Sequence, residues 1–139
     1  MEDRYDLQRF VAAQMPVFDA VCDELREGRK RSHWMWFVFP QIGGLGHSAA
    51  ARKYAISSLD EARAYLRHPV LGDRLRRCCE LACTVQGRTA EEIFGTTDAM
   101  KFRSSMTLFM RAAPDNRIFS DCLEKFFDGK PDAATLALL

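Results

Sequence analysis

An all-α, compact single-domain bundle of about seven helices is predicted by three features of the sequence. Apolar residues recur at helical spacing through almost the whole chain, and the strict apolar–polar alternation of half-buried strands is nearly absent. Ser58 with Glu61 and Thr89 with Glu92 have capping-box spacing, which marks helix starts. The main exception to helical patterning runs from Gly28 to Ala55, a long irregular stretch rich in aromatics and glycine.

Taken in order, Leu7, Phe10 and Val11 give a first short apolar stripe. Pro16 is suited to open a second helix, because its fixed φ fits the first helical position and its missing N–H is not needed there. Val17, Val21, Cys22 and Leu25 continue that helix until Gly28 stops it. After the irregular stretch, Ser58 and Glu61 precede Ala62, Tyr65 and Leu66, and Pro69 ends the run. Val70 to Val85 places Leu71, Leu75, Cys78, Cys79, Ala82 and Cys83 on one face, closes at Gly87 and is expected to be the central helix. Thr89 and Glu92 begin a short helix through Ile93 and Phe94, ended by Gly95. Thr97 or Asp98 is expected to cap a longer helix reaching Arg111, with Pro114 beyond it. Ile118, Cys122, Leu123, Phe126 and Phe127 describe another amphipathic helix stopped at Gly129, and Asp132 can cap a last short one.

The 139 residues fit one domain, 1–139, with a self-sufficient core, and 47% hydrophobic against 28% charged residues is globular rather than disordered composition. No repeat or low-complexity tract divides the chain. No apolar run approaches the roughly 18 to 20 residues that cross a bilayer, and the N-terminal MEDRYDLQRF is acidic where a signal peptide is basic then apolar. A cytoplasmic location without membrane association is therefore expected. Five cysteines, Cys22, Cys78, Cys79, Cys83 and Cys122, form an odd set without a repeated CxxC pair, so buried thiols are expected rather than a disulfide framework or a metal site. A net charge of +1 argues against a global pull on nucleic acid. Arg26, Arg29, Lys30 and Arg31 cluster, and Arg63, Arg67, Arg74, Arg76 and Arg77 populate a second basic region. These are either solvated helix faces or, for the first cluster, an anion site beside the aromatic stretch.

Three constellations could carry chemistry. In the first, Arg31, His33, Trp34 and Trp36 combine an anion-pairing group, a titratable ring and stacking surfaces, with Gln41 following. The competing reading packs Trp34 and Phe37 into the core. In the second, Gly43, Gly44 and Gly46 lead to His47 and Ser48 ahead of Ala49 to Tyr54, a candidate helix whose preceding backbone N–H groups could face an anion. The spacing matches neither the P-loop nor the dinucleotide fingerprint, and a plain tight turn explains it equally. In the third, Asp98, Lys101 and Ser105 fall on one helical face, with Ser104 and Thr107 beside them. Lys101 could clamp an anion or, if buried beside a poor counter-ion, act as a base. The alternative is an Asp98–Lys101 surface pair, with Ser104 and Ser105 hydroxyls bonded back to the preceding turn. Cys78, Cys79 and Cys83 are given no catalytic role, because an apolar helix face raises a thiol's pKa.

Three ordered blocks, GRKRSHWMWFVFPQIGGLGHS, YAISSLDEARAYLRHPVLGDRL and IFGTTDAMKFRSSMTLF, resemble the signature of a compact, mainly bacterial family of unknown function whose members are often labelled "calpastatin". The resemblance spans about residues 5 to 128 and implies an all-helical fold. The label is judged misleading, because calpastatin is a disordered inhibitor and this composition belongs to a packed domain.

The expected function is binding of an anionic ring-bearing small molecule of the nucleotide or ADP-ribose type, with hydrolysis as the reaction if there is chemistry, and with no cofactor and no metal. His33 and Lys101 are the catalytic candidates. Arg31, Trp34, Trp36, Gln41, Gly44, Gly46, Ser48, Asp98, Ser104 and Ser105 are the binding candidates. The alternative is a non-enzymatic protein-interaction module built on exposed Trp, Phe and Arg side chains.

Overall fold

The computed structural model describes residues 3–139; Met1 and Glu2, part of the acidic N-terminal stretch, lie outside it. The described residues form ten helices: α1 (Gln8–Gln14), α2 (Phe18–Glu27), α3 (Met35–Val38), α4 (Ala49–Lys53), α5 (Leu59–Arg67), α6 (Leu71–Thr84), α7 (Ala90–Phe94), α8 (Thr96–Ala112), α9 (Arg117–Phe127) and α10 (Ala133–Ala137). The all-α class is as predicted. The count exceeds about seven because single-turn helices such as α3 and α4 sit inside the stretch expected to be irregular; turns this short depend on tertiary packing.

Capping proceeds largely as the residue types dictate. Gly28 ends α2 in the left-handed conformation at φ 73°, its N–H donating to Leu25 O at 3.0 Å. Thr89 and Glu92 form a complete capping box on α7. Ser58 accepts from the Glu61 N–H at 3.1 Å, but the Glu61 carboxylate turns away to Ser57 and Arg9. Two expectations shift. The second helix begins at Phe18 rather than at Pro16. The longest helix begins at Thr96 behind Gly95, which leaves Asp98 in its first turn rather than at its cap.

The central helix is α8, not α6. Nine of its 17 residues are buried, including Phe102, Met106 and Phe109, and it packs against α3, α5, α7, α9 and α10. Its burial extends around much of the helix, and two of its three buried hydroxyls find backbone acceptors one turn back. Thr107 Oγ1 donates to Arg103 O at 2.8 Å and Ser104 Oγ reaches Met100 O at 3.1 Å. Aromatic rings surround α8: Phe94 stacks on Phe102 at 4.7 Å, Phe39 meets it edge-on at 5.0 Å, and Phe109 lies 5.4 Å from Tyr65.

The stretch between α2 and α5 is held down by two polar anchors and one backbone bridge. Glu24, 6% exposed, accepts hydrogen bonds from the Arg31 and Ser32 N–H groups, Ser32 Oγ and Trp34 Nε1. Burial works to raise this carboxyl, yet the four donors outweigh it and hold the group at about 2. Arg9 pairs with Glu61 at 3.0 Å and donates to Lys53 O and Ala55 O, tying α1 and α5 to the end of the stretch. Ile42 and Ile56 form a parallel bridge, with Gly43 N–H donating to Ile56 O and Ile56 N–H to Gln41 O, both at 2.8 Å. The bridge draws the ends of the Gly43–Ala55 segment together into a folded-back loop beside α8.

Candidate functional site

Two adjoining cavities, the larger between the loop and α8 and the smaller within the loop, share Trp36, Gln41, Gly46 and Ala51 as a common wall. The larger, of about 370 Å³, lies between the loop residues Leu45 to Ser48, the α8 residues Thr97, Met100, Lys101 and Ser104, and Asp132 and Ala134 at the start of α10. The smaller, of about 160 Å³, is bounded by Gly43, Gly44, Arg52 and Tyr54. Glycine matters here at two points: Gly44 has φ 103°, and a Cβ at Gly46 would come within 2.8 Å of Ala51.

The electrostatics centre on one carboxylate between two lysines. Asp98 Oδ2 lies 2.9 Å from Lys30 Nζ and Oδ1 lies 3.6 Å from Lys101 Nζ. Each ammonium also rests on a tryptophan, Lys30 at 5.1 Å from the Trp34 ring and Lys101 at 4.7 Å from the Trp36 ring. Two cations against one anion leave a local excess of one positive charge. Lys30 is 7% exposed and closed in, whereas Lys101 is 24% exposed and faces the larger cavity, so the accessible part of that charge sits at Lys101. On the opposite side Asp132 Oδ2 accepts from Thr135 N–H at 3.0 Å, Thr135 Oγ1 at 2.6 Å and Ser104 Oγ at 3.2 Å. The larger cavity therefore has a cationic side and an acidic, hydroxyl-bearing side.

Of the residues singled out in sequence, Trp36, Gln41, Gly46, Ser48, Lys101 and Ser104 line the larger cavity, Gly44 lines the smaller, and Asp98 holds Lys101 from behind. The others lie elsewhere. Trp34 is 1% exposed, packed near Phe39 and bonded to Glu24, so it is a core residue, as the competing reading had it. Arg31 is exposed and paired with Glu27 on α2. His33 is exposed and borders neither cavity. Ser105 is fully buried, and its hydroxyl has no partner among the described residues; the back-bonding expected for both serines is made by Ser104 alone. Ser48 caps the short α4 by accepting from Ala51 N–H at 3.1 Å, and the Gly43 N–H is spent on Ile56 O, so these groups first serve the loop's own structure.

Lys30, His47, Met100 and Asp132 were not chosen from the sequence as site residues. His47 stood beside chosen residues, and Lys30 lay in the basic cluster. Asp132 carried only a capping signal, which its bond from Thr135 N–H bears out. Among the described residues no three His, Cys, Asp or Glu side chains come together as a metal site, and no helix is long and apolar enough to cross a membrane.

Fold and cleft together define a small all-helical domain with one mixed polar and aromatic cleft on its central helix. The chain belongs to the DUF1810 family, described as proteins of unknown function, whose model matches residues 4–139. That match takes in α10 and Asp132, beyond the span of the resemblance read from the sequence. The crystal structure of the conserved hypothetical protein Rv1873 from Mycobacterium tuberculosis is similar, with a TM-score of 0.97 and 57% identity over 99% of this chain and 98% of that one. No curated protein matches the chain.

Proposed function

We propose that the cleft binds an anionic, ring-bearing small molecule of the nucleotide or ADP-ribose type. The observation that carries this reading is Lys101, a partly exposed ammonium in a cavity of about 370 Å³, 4.7 Å over Trp36 and backed by a carboxylate already paired with Lys30. Lys101 attracts the anion. Trp36 offers the face not covered by Lys101 to a planar ring. Gln41, Ser48 and Ser104 supply uncharged hydrogen-bonding groups that orient the ligand. If the ligand is processed, the step is a hydrolysis in which Asp132 or His47, in the same cavity, moves a proton to or from a positioned water. In this reading the protein works in the cytoplasm.

A thermal-shift screen against nucleotides, dinucleotides, ADP-ribose, sugar phosphates and simple anions tests the proposal. A ligand at about 100 times its dissociation constant stabilises the native state by about 2.7 kcal/mol, a clear upward shift in Tm. A selective hit is expected, lost in Lys101→Ala and weakened in Trp36→Ala. No hit across the panel, or a hit unchanged in both folded variants, overturns it.

The protein-interaction alternative is less well supported, because no Trp or Phe is exposed among the described residues; the exposed large apolar side chains are Met15, Met100, Leu138 and Leu139. Nucleic-acid binding through the second basic region is also weakened. Arg63 and Arg76 pair there with Asp60 and Asp73, and Arg74 lies over Phe18.

A further inference from the structure

All five cysteines carry free thiols, and they gather along α6 and the helices that face it. Cys78 and Cys79 are fully buried on α6, and Cys22 on α2 is 4% exposed. Cys83, one turn beyond Cys79, differs in being only half-buried, and its Sγ lies 3.0 Å from Cys122 Sγ on α9. That separation is about 1 Å more than the roughly 2.05 Å of a disulfide bond, so a small adjustment of two side chains closes it. Lys125, also on α9, donates from Nζ to Cys83 O at 2.6 Å and places a positive charge beside the more accessible sulfur.

We infer that Cys83 and Cys122 form a reversible redox modification site whose co-reactant is a low-molecular-weight disulfide such as oxidised glutathione. Cys83 is the entry point because it is the most exposed of the five, half-buried where the others are buried. Its thiolate attacks one sulfur of the small disulfide, forming a mixed disulfide and releasing one small thiolate. The Cys122 thiolate then attacks Cys83 Sγ and expels the second small thiolate. Two protein thiols become one disulfide, one small disulfide becomes two small thiols, and the two protons pass to the released thiolates. The hydrogen bond with Cys122 and burial both push the Cys83 thiol above its ordinary value, while Lys125 opposes them, so the exchange is slow at neutral pH and faster under mildly alkaline conditions. The product joins α6 to α9 across a separation of 39 residues along the chain and leaves Cys22, Cys78 and Cys79 reduced.

The folded protein is incubated with oxidised glutathione at mildly alkaline pH, blocked with an alkylating reagent, and analysed by intact mass and peptide mapping. The expected result is loss of two hydrogens, three alkylated cysteines, a crosslinked peptide pair containing Cys83 and Cys122, and full reversal by dithiothreitol. Cys122→Ser should stop at the mixed disulfide on Cys83, and Cys22→Ser should oxidise as the parent does. Circular dichroism confirms that each variant is folded. Thermal unfolding of the oxidised parent should occur at a higher temperature than that of the reduced form. Five alkylated thiols after prolonged exposure, or a crosslink at Cys22 and Cys78 instead, overturns the inference.

Discussion

Glu24→Gln separates the charge of the buried carboxylate from its shape. The glutamine keeps an acceptor where Oε1 takes the N–H groups of Arg31, Ser32 and Trp34, and its amide can donate to Ser32 Oγ, so packing is retained and the charge is lost. In the parent the carboxyl lies at about 2 against an ordinary 4.5. At about 1.4 kcal/mol for each tenfold change, that gap corresponds to roughly 3 kcal/mol of stability from the ionised form. A depressed carboxyl contributes this stability in full above its unfolded value and loses it as pH falls toward the folded one. The parent should therefore exceed Glu24→Gln by up to about 3 kcal/mol at neutral pH, with the difference shrinking below pH 4.5 and closing near pH 2. Urea unfolding of both proteins at a series of pH values measures it, and the other carboxylates cancel because they titrate in both. A difference that stays constant with pH, or no difference at neutral pH, refutes the argument that ionised Glu24 anchors residues 31–34.

Two further substitutions probe the packing around the cleft. Arg9→Ala removes the cation facing Glu61, which is 3% exposed, and leaves Lys53 O and Ala55 O without a donor; a loss of about 3–5 kcal/mol in urea unfolding is expected, and a loss below about 1 kcal/mol would mean that Glu61 is satisfied without it. Ser105→Ala removes a buried hydroxyl that makes no hydrogen bond, so Tm should stay level or rise by the equivalent of about 1 kcal/mol. A marked fall in Tm would show that this hydroxyl does have a partner.

Part of the site could be read from the chain because the relevant residues are local neighbours. Lys101 and Ser104 lie three residues apart on one helical face, and Gln41 to Ser48 belong to one glycine-rich segment, so each group reaches the cleft as a unit. What sequence could not separate were near neighbours that face different ways. Trp34 and Trp36 flank one residue, yet Trp34 precedes α3 with a non-helical backbone, φ -131°, and Trp36 lies within it, so one ring enters the core while the other borders the cavities. Ser104 and Ser105 differ by about 100° on α8, enough to send one hydroxyl to Asp132 and to bury the other without a partner. Within a stretch read as irregular, no periodicity was available to assign faces.

By itself the sequence determined the helical class, because apolar spacing, caps and terminating glycines act locally and need only a few turns of chain to be expressed. Only the tertiary structure decided that α8 is the central helix, that Lys30 joins Lys101 on Asp98, and that Asp132, the cap of the last helix, lines the same cavity as Lys101. Lys30 and Asp132 are distant along the chain from Asp98 and Lys101. Which surfaces meet depends on how all the apolar faces close around one core, a condition that no local window of sequence contains.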